Sequence, residues 1–276
     1  TLISQIWLWF HLGKYVKFVK PDRDGILENI KPLIILFIPV IAVSLYKMMD
    51  KIMIGWVNKT ELGYYEYAEK IIAIPMSVIE AIGVVMLPRI SKMLARGGKE
   101  ASKHLIQTSM KLNMVLAIAM AFGVSAISRE FAPVFFGNEY TACSLLMIGL
   151  SVTIPFLSFA NVLRKQFMIP MKMDREYTIA VFCGAVVNLS CNLIFIPKLY
   201  ARGAMIGTIF AEIVVCMMHI YSCRKDLPVK TYITTLIPYL VAGFCMYQAV
   251  RFTAKIVGMS IVGLVLEVLV GGVVYL

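Results

Sequence analysis

Six ionisable side chains stand where a chain this apolar has least use for charge. SLYKMMDKIMIG places Lys47, Asp50 and Lys51 at i, i+3 and i+4, on one side of a helix. YYEYAEKIIAIP sets Glu66, Glu69 and Lys70 in the same pattern. Both stretches lie in long apolar runs, 32–57 and 64–88. Antiparallel helices joined by the short break between them would bring the two groups to similar depth. Three positive and three negative charges cancel, and such a cluster survives in a bilayer only by facing protein or water. It could be a clasp between helices, or a polar cavity that handles a charged substrate or coupling ion. The residues leave both open. Lone carboxylates lie deeper, at Glu80, Glu212 and Glu267. Glu80 and Glu212 are the candidates for ion coupling, with H+ or Na+ as the expected ion. The amides Asn161, Asn188 and Asn192 read as polar glue between helices.

The elements that must position these groups are apolar helices. Runs fall near 32–57, 64–88, 111–131, 141–166, 176–196, 204–223, 232–250 and 256–276, and a further run ends near Leu12. Each holds roughly 20 residues or more, enough to cross a ~30 Å hydrocarbon core as a helix. The chain is 60% hydrophobic, with mean hydropathy +0.81. Barrel-like alternation is absent, which leaves the helix as the spanning element. Of the 27 Lys and Arg, all but Lys47, Lys51 and Lys70, which lie inside apolar runs, divide by alternate breaks. Eighteen fall in one set of breaks, around 14–31, 89–111, 164–175 and 224–230, and six in the other, from Lys59 to Lys255. That bias places the first set in the cytoplasm. The net charge of +11 is then explained by anionic membrane lipids, with no nucleic acid needed.

The expected class is an all-α polytopic membrane protein of the plasma membrane. Three parts are expected. Residues 1–31 are the end of a preceding span and a cytoplasmic connector. Residues 32–223 are a six-helix lobe. Residues 224–276 are a C-terminal hairpin whose last helix is cut short. The opening at Thr1 inside an apolar run reads as the later part of a longer transporter. The polar stretch 89–110 is expected to be an elbow lying among headgroups. Pro39, Pro75, Pro155 and Pro238 fall inside apolar runs and predict kinks. Gly203-x-x-x-Gly207 permits close helix approach. The six cysteines contain no C-x-x-C pair and read as small reduced core residues. No metal-ligand spacing or nucleophile–base pairing is visible. His11, His104 and His219 lie near cytoplasmic ends, and no cofactor or enzyme activity is predicted.

Four stretches carry a family resemblance. They are PVIAVSLYKMMDKIMIG (Pro39–Gly55), VMLPRISKM (Val85–Met93), NVLRKQFMIPMKMDREY (Asn161–Tyr177) and GAVVNLSCNLIFIPKLYARGAMIGTIFAE (Gly184–Glu212). Together they resemble the polysaccharide transporters, the Wzx-type flippases of the multidrug/oligosaccharidyl-lipid/polysaccharide (MOP) exporter superfamily. Tyr200 stands where that family usually has glycine, and Arg202 where it has an apolar residue. The resemblance implies two six-helix lobes around a central cavity, with the second lobe and two extra helices here. It implies transport of an undecaprenyl-diphosphate-linked oligosaccharide by alternating access, for capsule, O-antigen or exopolysaccharide synthesis, with a polysaccharide polymerase as a partner. On that reading Arg164 and Lys165, with Gln166, are placed to hold the diphosphate. A small-molecule antiporter of the same superfamily and a flippase for the peptidoglycan precursor are the alternatives. A polymerase or ligase would need a large outer loop, and the outer breaks are too short for one.

Overall fold

The computed structural model describes residues 12, 22–96 and 98–276. The expected partial first span and most of the connector lie outside the described residues. Two compact units are present, Thr1–Ile38 and Pro39–Leu276. In the first, the described segment from Arg23 to Ile38 is helical, and Leu27, Leu33, Ile34 and Phe37 are exposed.

The elements are α1 (Arg23–Val57), α2 (Lys59–Ala95), α3 (Lys99–Phe136), α4 (Ala142–Ser151), α5 (Thr153–Leu163), a π-turn (Arg164–Met168), α6 (Asp174–Leu199), α7 (Ala201–Cys223), α8 (Val229–Thr234), α9 (Ile237–Val257) and α10 (Ile261–Tyr275). Among the described residues six spans are long and apolar enough to cross a membrane: Lys59–Leu94, Glu100–Phe136, Ala142–Met168, Asp174–Leu199, Ala201–Cys223 and Val229–Val257. Ile261–Tyr275 is a shorter apolar helix. The outward faces are aliphatic. Val186, Leu193 and Ile194 on α6 and Val262, Leu269 and Val273 on α10 are exposed, as lipid-facing side chains would be. The protein is an all-helical, multi-pass membrane protein.

Local chemistry sets the breaks. Asn58 separates α1 from α2, and its side chain accepts from the backbone N–H of Thr60 at 2.9 Å and Glu61 at 3.2 Å. Ser260 caps α10 through the Gly263 N–H at 3.0 Å. Pro155 and Pro238 locally break the hydrogen-bond ladder of spans that otherwise continue, since Val152, Thr235 and Leu236 keep right-handed helical dihedrals. Neither can donate to the carbonyl four residues earlier, at Ser151 and Thr234, and α4 and α8 end at those two residues. Pro75 and Pro88 are carried inside α2.

The stretch 89–110 forms the ends of two long helices: α2 and α3 run past their apolar segments and meet near Gly98. Ile90 and Ile106 are fully buried there, in a core shared with Met110, Leu163 and Phe167, so their helical spacing faces protein.

Small residues draw α6 and α7 together. A Cβ on Gly203 would fall 2.5 Å from the backbone of Phe195. The G-x-x-x-G spacing thus marks a true close approach. Tyr200, between the two helices, has φ 53 and ψ −126. This is the position where the resembled family has glycine, and a Cβ there is strained. All six cysteines are free. Cys143, Cys216 and Cys223 are core residues as expected, but Cys245 is exposed.

Candidate functional site

Asp50 is the centre of the best-formed polar site. It lies on α1, is 3% exposed, and meets α2, α6 and α7 through side-chain hydrogen bonds. Asn192 donates a short hydrogen bond from Nδ2 to Oδ1. Thr208 donates to Oδ2 at 3.1 Å, and Tyr65 reaches the same oxygen at 3.3 Å. The two hydroxyls touch each other at 3.0 Å. The second proton of Asn192 Nδ2 goes to Asn188 Oδ1 at 3.0 Å. Asn188 and Asn192 are one turn apart on α6, so both amides reach the same point. Gly207 makes room for them, because a Cβ there would overlap Asn192 Oδ1. Asn192 Oδ1 and Asn188 Nδ2 are buried without hydrogen-bond partners. Carboxylate, amide and hydroxyl oxygens therefore converge on one buried spot. Such oxygens suit a proton or a hard monovalent cation at membrane depth.

The site forms one wall of a recess of about 370 Å³, lined also by Glu69, Lys70, Glu80, Thr153 and Glu212. A second recess of about 160 Å³ adjoins it, sharing Met76, Glu80, Leu157 and Glu212. The second holds Asn161, Arg164, Lys165, Tyr177 and His219. The two recesses thus adjoin as one groove between α2, α5 and α7, with charged groups set in largely apolar walls.

The six clustered charges do not form one described network. Asp50 belongs to the amide and hydroxyl site. Lys51 and Glu69 pair separately at 2.8 Å, each about a third exposed. Lys70 lies over the Tyr67 ring, 5.2 Å from its centroid, and faces the recess. Glu66 is half-buried. The Lys47 side chain lies outside the described residues. The physical reason for the split is competition: three hydrogen-bond donors from other helices reach Asp50. Glu80 is exposed on the groove, and Glu212 is 5% exposed between the two recesses. Gln166 is turned away. The π-turn presents Arg164 and Lys165 to the groove, while Gln166 packs inward and donates to Ser109 Oγ at 2.7 Å.

Sequence reasoning missed Tyr65 and Thr208, whose hydroxyls carry no signature until helices are docked. It assigned Asn188 and Asn192 to glue, although their one-turn spacing was visible. His219 was set aside as a terminal residue, yet it is buried in the wall of the second recess. Arg251, one of the six basic residues of the expected outer set, pairs with Glu130 at 2.7 Å, joining α9 to α3, a contact that the charge pattern does not reveal. Among the described residues no three His, Cys, Asp or Glu converge as metal ligands.

A family profile described as "Lipid II flippase MurJ" matches residues 2–272. The chain belongs to the MurJ family. The "Probable low-salt glycan biosynthesis flippase Agl15" of Haloferax volcanii is 23% identical over 214 residues, 77% of this chain and 44% of that protein. The "Lipid II flippase MurJ" of Bacillus subtilis is 22% identical over 226 residues, 76% of this chain and 41% of that one. A solved structure, "Lipid II flippase MurJ, inward closed conformation", superposes with TM-score 0.78 at 17% identity, over 99% of this chain and 59% of that chain. The chain thus spans less than half the length of these two curated relatives. The superfamily-level resemblance holds, but the matching family is MurJ and not the Wzx branch. The stretches that carried the resemblance build helix contacts, such as Gly203 against Phe195 and Gly207 against Asn192. They are properties of the shared scaffold and do not report the sugar. By its description the MurJ family is one of flippases, transporters and not enzymes.

Proposed function

We propose that this chain supplies a cation-coupled lobe of a flippase for polyprenyl-diphosphate-linked glycans, working by alternating access. The six-helix lobe is 32–223, and 224–276 is an appended hairpin. Two of the curated relatives are named as flippases, one for lipid II and one in glycan biosynthesis, which supports a lipid-linked glycan as the substrate class here. Lipid II and an oligosaccharide repeat unit for a surface polysaccharide are the two substrates within that class. The observation that carries the coupling role is Asp50. A carboxylate buried at membrane depth, held by side chains of α2, α6 and α7, ties the packing of those helices to its own charge. A proton or Na+ there would bias one arrangement of the lobe over another. Asp50 thus takes the role expected of Glu80 and Glu212, which line the adjoining groove.

A strain lacking the gene should accumulate inner-leaflet lipid-linked glycan, read in lipid extracts. The parental gene should clear it, and Asp50→Asn should not, although folded protein remains in the membrane. Extracts unchanged by the deletion would overturn the function. Full clearance by Asp50→Asn would overturn the coupling role alone.

A further inference from the structure

The second recess holds a set of nitrogen donors that the fold leaves unused. Arg164 Nε is buried without a partner. His219 is 2% exposed, and neither ring nitrogen makes a hydrogen bond. The Ala160 carbonyl faces the imidazole without closing one of ordinary geometry. Buried donors are almost always satisfied, so unpartnered ones on the wall of a cavity point to an absent acceptor. Lys165 completes the set. Its Nζ lies 3.5 Å from the Glu80 carbonyl, a weak contact, and Gly83 leaves room for its stem. Tyr177 holds the other two in place. Its ring lies 5.0 Å from the Arg164 guanidinium carbon and 5.8 Å from the His219 ring. A guanidinium stacked on an aromatic ring keeps its edge donors free for a planar or tetrahedral oxyanion. The π-turn is what turns Arg164 and Lys165 to the same side.

Carboxylates are part of the same groove. Glu80 and Glu212 line both recesses, so they stand on the side toward Asp50. The groove is therefore basic at one end and acidic toward the other. That polarity fits a ligand with an anionic group at one end and hydroxyls beyond it.

We propose that Arg164, Lys165 and His219 form a phosphate-binding recess that takes the diphosphate of the lipid-linked glycan. Tyr177 is the positioning residue. This rests on the flippase reading for the identity of the lipid, but not for the chemistry of the anion. It replaces Gln166 with His219 in the set.

The test uses the purified protein in phosphatidylcholine nanodiscs. Inorganic diphosphate and a short-chain prenyl diphosphate are titrated separately at constant ionic strength, and the midpoint of thermal unfolding is read. Prenyl diphosphate should raise the midpoint saturably. Arg164→Gln and His219→Gln should each weaken its apparent Kd about tenfold or more, the loss of one hydrogen bond to a charged group. Arg164→Lys retains charge and loses the fork, so it should weaken binding too; it remains decisive if Arg164→Gln does not fold. Lys225→Gln, on an exposed turn, should bind as the parent does. Parental affinity in both His219→Gln and Arg164→Lys would sink the proposal, as would an equal loss in Lys225→Gln. A response to inorganic diphosphate alone would assign a free anion and overturn the lipid-borne assignment. Site-specific binding in a protein whose deletion leaves lipid-linked glycans unchanged would remove the flippase reading and keep the recess. Accumulated glycan with unaffected binding in the variants would do the reverse.

Discussion

Asn192 donates to Asp50 Oδ1, and its removal isolates the effect of that contact. Asn192→Ala takes away the donor to Oδ1 and should cost about 1.5–3 kcal/mol, the worth of a hydrogen bond to a charged group. Thermal unfolding of the detergent-solubilised protein would read it. In an Asp50→Asn background the same change should cost clearly less, because residues in one network couple. Equal costs in both backgrounds would show that Asn192 acts through packing alone. Tyr200 offers the opposite sign. Its φ of 53 with ψ −126 is a backbone shape suited to glycine. Tyr200→Gly should stabilise by about 1 kcal/mol, the relief of that strain less the extra freedom of the unfolded chain. A lower unfolding midpoint would show that the ring's contacts outweigh the strain. Both sites differ in how readable they were. Tyr200 announced itself as a tyrosine at a glycine's place. Asp50 announced itself as a charge in an apolar run, but its partners did not, since Thr208 and Tyr65 are ordinary residues until four helices meet.

Helices α9 and α10 are fastened to α3 by polar contacts that apolar periodicity cannot show. Arg251 Nη1 donates to both Glu130 oxygens, at 2.9 and 2.7 Å, and to the Ala126 carbonyl at 3.1 Å. Tyr275, at the end of α10, donates to the Val115 carbonyl at 2.8 Å. The ion pair is mostly buried, with side-chain exposure of 18% and 8%. Glu267 of α10 is fully buried nearby, with both carboxyl oxygens unpartnered. Arg251→Met would leave Glu130 uncompensated and should cost about 3–5 kcal/mol, the usual penalty for breaking a buried pair from one side. Adding Glu130→Gln should restore most of it. Proteolysis within 224–236 would report whether the loss is local to the hairpin. A double variant no better than the single would mean that Arg251 serves Glu267 instead. The spans themselves were legible because hydropathy and charge alternation set them. The Arg251 pairing was not, because a basic residue near the end of a run reads as a loop charge under the same rule. Pro155 and Pro238 were legible as perturbations. Their effect, a local break in the hydrogen-bond ladder, depended on which carbonyl each one strands.

At the scale of the molecule, charge and architecture make one argument about orientation. The turn after α2, the turn from the π-turn to α6, and the turn from α7 to α8 carry Arg96, Lys172, Arg224 and Lys225, with Arg175 in the first turn of α6. The opposite turns centre on Asn58, Gly137 and Tyr200, and an aromatic group stands beside them. Tyr67 packs on Phe136 at 5.0 Å and on Tyr140 at 5.2 Å, and Tyr64 packs edge-on against Tyr140 at 5.7 Å. Aromatic side chains collect at membrane interfaces, and basic ones on the cytoplasmic side. Aromatic residues mark either interface, so this cluster fits a helix end at the membrane surface, and the expected orientation rests on the basic residues alone. On that expected orientation the proposed Arg164 recess would lie toward the cytoplasm, where a lipid-linked precursor would be captured, and Asp50 nearer the outer end. Single cysteines at positions 172 and 225, in a background with all six native cysteines replaced, should resist an impermeant thiol reagent in intact cells and react after permeabilisation. Cysteines at 59, 138 and 202 should react in both. Labelling of position 172 from outside would invert the molecule, and the recess would then face release, not capture.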